Sequence, residues 1–239
     1  MNYAIIAAGE GSRLVGEGVA LPKPLIPIEG EGREPMIERL INIFMRNNAE
    51  SITVIVNEFM TEVREHLEAL GERNPLLTLV VKTTPSSMHS LWELSKVMPA
   101  GKFCLTTVDT IFREEDFAGY VSAFEDDDEH DGLWAVTPFI DDEKPLYVDV
   151  DDAMNVTAFR DSDDGDARFV SGGIYAINSE KAFPVLNECI AAGKARMRNF
   201  QRALIDAGCR LKAYSFPKIV DVDHAADIDT ARRFLSHQD

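Results

Sequence analysis

A chain of 239 residues with 45% hydrophobic content is long enough to bury a large core and is of ordinary size for one α/β domain. Its 41 acidic residues against 24 lysines and arginines give a formal net charge of -17, which repels nucleic acid and anionic lipid at long range and argues against both as partners. A small anionic ligand remains compatible, because local N–H groups and cations outweigh a distant, screened field. No apolar run reaches membrane length, so a cytoplasmic protein without a membrane partner is the expectation. Cys104, Cys189 and Cys209 are widely spaced with no Cys-x-x-Cys pair, which argues against a disulfide framework or a structural zinc and leaves reduced thiols.

The run Tyr3-Ala-Ile-Ile-Ala-Ala8 is too short to span a membrane or to form a typical signal peptide, and suits a buried strand. It breaks into Gly9-Glu10-Gly11-Ser12-Arg13. Two glycines one residue apart let the backbone turn tightly and present N–H groups to an anion with no Cβ in the way. Arg13 adds a permanently charged, multi-donor fork. Further on, Lys23 stands between Pro22 and Pro24, which stiffen the segment that aims its ammonium. Two rival phosphate loops do not fit. A dinucleotide fingerprint requires a third glycine where Leu14 stands, and a Walker-type loop requires Gly-Lys-Ser/Thr where Gly16 is followed by Glu17. The blocks Ala7-Ala8-Gly9-Glu10-Gly11-Ser12-Arg13 and Pro22-Lys23-Pro24-Leu25 resemble the opening motif A-A-G-x-G-[ST]-R-(x)n-P-K-P-L of the nucleotidyltransferases that make nucleoside diphosphate sugars from sugar 1-phosphates, with their phosphocholine cytidylyltransferase-like relatives. The resemblance implies a single domain over residues 1–239 with a Rossmann-like three-layer α/β/α nucleotidyltransferase fold and a mixed, mostly parallel central sheet.

Periodicity carries the rest of the chain in order. A helix is predicted over Met36–Asn47, a strand over Ile52–Val56, a helix over Thr61–Leu70 and a strand over Leu77–Val81. The segment Thr83–Trp92 stands where the resembling family carries a second base-contacting loop; a strand is predicted at Phe103–Thr107 and a helix at Glu115–Phe124. Strands are predicted at Leu133–Val136, Val156–Arg160 and Val170–Ile177, then a helix at Lys181–Ala192, a strand at Leu211–Phe216 and a helix at Ala225–Leu235. This alternation is what a mostly parallel sheet requires. Glu125–Asp131 and Asp161–Asp166 read as solvated acidic turns. The second superficially fits a calcium loop, yet with Gly165 in sixth place Arg160 and Ser171 fall where acids belong.

The strand Phe103–Thr107 delivers Asp109 to the carboxyl edge of the sheet, the usual ligand side. In Ile219-Val-Asp221-Val-Asp223-His224, alternation puts Asp221 and Asp223 on one face. One carboxylate cannot hold magnesium firmly. The resemblance implies Mg2+ at Asp109 and at Asp223 or Asp221, with Asp223 preferred; the plainer alternative is that Asp223 or Asp227 caps the helix after it. It makes Arg13 and Lys23 the catalytic cations and Ala8, Gly9, Gly11 and Ser12 the nucleotide cradle, and assigns Pro85, Ser87 and Ser90 to base contact. His89 reads as an exposed residue of the same loop. Ser171-Gly172-Gly173-Ile174-Tyr175 resembles the family's acceptor-side N-x-G-I-Y strand, which makes Gly172 and Gly173 acceptor-binding candidates, with an ordinary bulge as the alternative. The family's Glu-Lys-Pro is missing, since Phe159 is followed by Arg160-Asp161-Ser162; Arg160 is the candidate to share the acceptor phosphate with Lys23.

The implied reaction joins a nucleoside monophosphate, from a nucleoside triphosphate, to a sugar 1-phosphate or phosphocholine-like acceptor and releases pyrophosphate. Two other readings stand. A metal-dependent glycosyltransferase shares the Asp221-x-Asp223 pattern but has no need of Arg13 and Lys23, and a silent nucleotide-binding domain is compatible with the missing Glu-Lys-Pro. The base, the acceptor and the oligomeric state stay open, a homo-oligomer included.

Overall fold

The computed structural model describes residues 1–29, 34–140, 144–163 and 165–236. Strand β1 (Asn2–Ile6) is buried along its whole length, as a central strand covered on both faces must be. It leads through α1 (Ser12–Gly16) and the small pair β2 (Pro27–Glu29) and β3 (Glu34–Pro35) into α2 (Met36–Arg46). There follow β4 (Ser51–Val56), α3 (Thr61–Gly71), β5 (Leu77–Val81), α4 (Ser87–Ser95), β6 (Lys102–Thr107), β7 (Thr110–Ile111) and α5 (Glu114–Glu125). The later part runs β8 (Gly132–Thr137), β9 (Tyr147–Val150), β10 (Val156–Arg160), β11 (Val170–Asn178), α6 (Ser179–Ala191), α7 (Met197–Asp206), β12 (Leu211–Ser215), β13 (Val220–Asp221) and α8 (Ala225–Leu235).

Among the described residues the main sheet has nine strands. β5, β4, β1 and β6 are parallel neighbours, and β11 closes their row antiparallel to β6. Beyond β11 the sheet forks, one branch running through β8 to β12 and the other through β9 to β10. Along β1, Tyr3 and Ile5 enter one core and Ala4 and Ile6 the other, because successive side chains leave a strand on opposite faces. The first core is roofed by α2, α3, α5 and α8, where Tyr3 stacks on Phe44 at 4.2 Å; the second is roofed by α4, α6 and α7. The fold is therefore the three-layer α/β/α arrangement with a mixed, mostly parallel sheet.

Three segments depart from the sequence reading. Thr83–Trp92 is only half a loop, since it winds into α4 at Ser87 to bury Met88, Leu91 and Leu94 at three-residue spacing. α7 has a comparable apolar stripe at Phe200, Ala203 and Leu204, interleaved with arginines that hide it. β9 is a four-residue partner of β10 whose Tyr-Val-Asp-Val alternation is too short to stand out.

Candidate functional site

The site lies where β1, β4 and β6 end at their carboxyl edges, the place where open α/β sheets bind ligands. Ala7 N–H donates to the Ile55 carbonyl at 2.9 Å as the last rung before the chain leaves the sheet into the glycine loop. Gly11 has φ +61° and caps α1, and a Cβ there would stand 3.2 Å from Lys23 Cβ. Around Gly9 nothing lies within 4 Å of where a Cβ would be, so its backbone faces open space. Pro22 and Pro24 set a single 3-10 turn, Lys23–Leu25, that carries Lys23 into the cleft with 9% exposure.

A two-rung pairing between β7 and β13 sets the acids. Val220 pairs with Ile111 and Asp221 with Thr110, and the Val222 N–H donates to the Asp109 carbonyl at 3.1 Å. With Val220 and Val222 fully buried, Asp109 and Asp223 come to the same point. Lys23 Nζ donates to Asp109 Oδ2 and, at 2.8 Å, to Asp223 Oδ1, while Arg13 Nη1 donates to Asp223 Oδ2 at 2.9 Å. Burial pulls the Lys23 ammonium down, but the two carboxylates beside it outweigh burial and hold it above the ordinary lysine range. Burial pushes the Asp223 carboxyl up, and its hydrogen bond to Lys23 with the charges of Lys23 and Arg13 brings it below the usual carboxylate range. The cap of α8 is made by others. Asp227 Oδ2 accepts from the N–H groups of His224 at 2.6 Å and Asp223 at 2.9 Å, which leaves the Asp223 side chain to the cations.

A cleft of about 550 Å³ gathers Ala8, Gly9, Gly11, Ser12, Arg13 and Lys23 on one wall. Pro85, Ser87, Ser90, Asp109 and Asp223 border it from the other elements. Ser90 is buried, and its hydroxyl shares a 2.6 Å hydrogen bond with Thr84 Oγ1. His89 turns to Ser86 Oγ at 2.9 Å and does not border the cleft. Asp221 borders a neighbouring cavity and not the cleft.

The acceptor-side candidates fall in different places. Arg160 is held by Asp149 at 2.8 Å and Asp166 at 3.0 Å and borders neither the cleft nor the adjoining cavity, because β9, unread in the sequence, brings Asp149 beside it. Gly172 is required by packing, since a Cβ there would lie 2.2 Å from Ile219 Cδ1. Gly173, with φ +74° and Thr110 Oγ1 2.8 Å from where its Cβ would be, sits in a bulge of β11 and does border the adjoining cavity.

Three groups escaped the sequence reading. Asn57 follows the last residue of β4 and is 3% exposed; its Nδ2 donates to the Ala8 carbonyl at 3.1 Å and its Oδ1 accepts from Phe59 N–H at 3.0 Å, which pins the glycine loop. A polar residue ending an apolar strand was its available signal. Glu17 reaches His224 Nδ1 and the Ala225 N–H, each at 2.6 Å, and so ties the end of α1 to the start of α8. Arg196 and Gln201 border the adjoining cavity from α7 and its cap, and were hidden with that helix.

Two cations and two carboxylates thus meet against a glycine loop at the carboxyl edge of this sheet. The sequence matches the nucleotidyl transferase family over residues 3–222, and the chain belongs to that family. It is 31% identical over 117 residues to a 2-aminoethylphosphonate cytidylyltransferase of Lancefieldella rimae, a match covering 48% of this chain; the aligned part spans 45% of that relative, so somewhat less than half its length is matched. Among solved structures it is similar to one from Bacillus anthracis described as a glucose-1-phosphate thymidylyltransferase, with a TM-score of 0.81, 18% identity and coverage of 98% of this chain and 94% of that one. It is also similar to the inositol-1-phosphate CTP transferase of T. maritima, with a TM-score of 0.75, 16% identity and coverage of 98% and 97%. At such identities these likenesses show the fold.

Proposed function

We propose that the chain transfers a nucleoside monophosphate from a nucleoside triphosphate to an acceptor bearing a phosphate or phosphonate, with release of pyrophosphate. The observation that carries this is Lys23, sunk between Asp109 and Asp223 beside a loop of exposed N–H groups. An acceptor oxygen forms a bond to the α-phosphorus as the bridge to the β-phosphate breaks, and pyrophosphate leaves with that electron pair. The attacking oxygen is ionised at neutral pH, so no protein base is needed and catalysis consists of alignment and charge stabilisation. In this reading the Gly9–Arg13 loop binds the β- and γ-phosphates, and Lys23 offsets the repulsion between the α-phosphate and the incoming anion.

Asp109 and Asp223 present hard oxygen donors around a position that attracts a cation, a donor set that fits Mg2+. Among the described residues no three His, Cys, Asp or Glu side chains form a metal-binding group, so the remaining ligands would be phosphate or water oxygens. When bound, the ion supplies positive charge to the phosphate oxygens.

The relative from Lancefieldella rimae supports cytidine as the base and 2-aminoethylphosphonate as an acceptor; sugar 1-phosphates and phosphocholine are the other acceptors the motifs allow. The test is a pyrophosphate-release matrix of the four common triphosphates against these acceptors, with Lys23→Ala as control. Release that requires both substrates and Mg2+, and falls at least about 100-fold in Lys23→Ala, is the expected result. A variant as active as the parent would remove the mechanism.

A further inference from the structure

Beside the nucleotide cleft, and sharing Ser87 and Thr107 with it, lies a cavity of about 480 Å³ between β11 and the start of α7. Gln201 borders it at 1% exposure, and neither its Oε1 nor its Nε2 makes a hydrogen bond of normal length. Ser171 Oγ, on the facing strand, is buried and likewise without one. The Tyr175 phenol interacts with both side chains. A buried amide whose polar atoms lack a well-formed hydrogen bond costs free energy, which a ligand that satisfies it recovers. At the mouth, Arg196 enters α7 with φ 73° and ψ 137°, a strained conformation for a residue with a side chain, and its guanidinium has no ion-pair partner among the described residues. Its N–H donates to Ser86 Oγ at 3.4 Å, on the segment that leads into α4. The cavity lining thus combines a cation with a buried polar cluster whose hydrogen bonding is incomplete.

We propose that this cavity receives the acceptor, with Arg196 on its phosphorus group, and that Gln201, Tyr175 and Ser171 select an acceptor whose far end donates hydrogen bonds over one ending in a quaternary ammonium. The inference rests on the nucleotidyl transfer read above. A primary ammonium or a hydroxyl donates to Gln201 Oε1 and to the Tyr175 oxygen, and the exposed Asp221 carboxylate on the cavity wall favours the ammonium. A quaternary ammonium has no N–H to give and is bound instead by aromatic faces, whereas Tyr175 is the one ring among the described residues of this wall. Gln201 is then a specificity-determining residue.

Pyrophosphate release is measured for the parent, Gln201→Met and Tyr175→Phe on phosphoethanolamine, 2-aminoethylphosphonate, glucose 1-phosphate and phosphocholine, alongside their melting temperatures. At least one donor-ended acceptor is expected to exceed phosphocholine in kcat/KM by about tenfold or more. Gln201→Met should close most of that gap through KM, with kcat and melting temperature held, because an apolar side chain of similar length relieves the unsatisfied amide; a structural glutamine would lower the melting temperature instead. Tyr175→Phe, which deletes one oxygen, should narrow the gap in the same direction. Phosphocholine used as well as the donor-ended acceptors, or a gap that both variants leave intact, overturns the selection while leaving nucleotidyl transfer standing. Release from no acceptor in the presence of any triphosphate overturns the transfer reading and this inference with it.

Discussion

Lys23 concentrates what single residues do here. Its ammonium occupies the point where two carboxylates from distant parts of the chain meet, and those carboxylates hold it charged. The consequence for stability has a definite sign. Asp223 titrates lower in the folded protein than in the unfolded chain, so the folded state binds fewer protons as the pH falls and loses stability. That loss begins near the unfolded carboxyl value of about 3.9 and continues to the lower folded value. We expect Asp223→Asn to have a flatter profile of melting temperature against pH between about 3 and 5 than the parent. Equal slopes would show that Asp223 is not held down. The effect is modest, because the Asp223 side chain is 42% exposed and water screens it.

At the scale of elements, the site is assembled by short pieces packed on long ones. β7 and β13 contribute two residues each, yet their pairing joins Asp109 to Asp223, and the missing side chain of Gly172 leaves the room that Ile219 fills. The start of α7 is the strained element. Relieving φ 73° at Arg196 with Arg196→Gly is expected to hold or raise the melting temperature, since glycine accepts that backbone freely. The same change removes the guanidinium from the cavity mouth and should raise the acceptor KM by about tenfold or more. A lowered melting temperature with unchanged KM would place the role of Arg196 in folding alone. Glycine has its own entropy cost, so a small rise in stability is all that relief can bring.

At the scale of the whole molecule, the described residues form a nine-stranded sheet between two helical layers, with the cleft at the carboxyl edge of its parallel strands. Among the described residues no helix is long and apolar enough to cross a membrane. In a strongly acidic chain, binding of a polyanion would require cations gathered locally, and Arg13 and Lys23 meet at the cleft. Ligand binding should therefore register as global stability. Nucleoside triphosphate with Mg2+ at about 100 times its dissociation constant would add about 2.7 kcal/mol. We expect a clear rise in melting temperature that EDTA reverses; a rise indifferent to EDTA would show that the triphosphate binds without the ion.

The sequence by itself determined the central strands of the sheet, the first core and the glycine loop, because strand burial and helical periodicity are written locally. Tyr3 to Ala8, Ile52 to Val56 and Phe103 to Thr107 are apolar for the same reason that they are central. The paired glycines and the prolines around Lys23 likewise impose their own backbone. Only the tertiary structure decided partners. Lys23 and Asp223 are 200 residues apart, and nothing in the spacing of either announces that a two-rung β pairing will bring them together. Arg160 and Gln201 show the same limit from opposite sides. A half-buried arginine at the expected place is consumed by Asp149 across a strand pair too short to read, while a glutamine inside an unread helix is buried at a cavity wall. Local pattern encodes which side of an element is dry, and packing alone decides which polar group is left wanting a ligand.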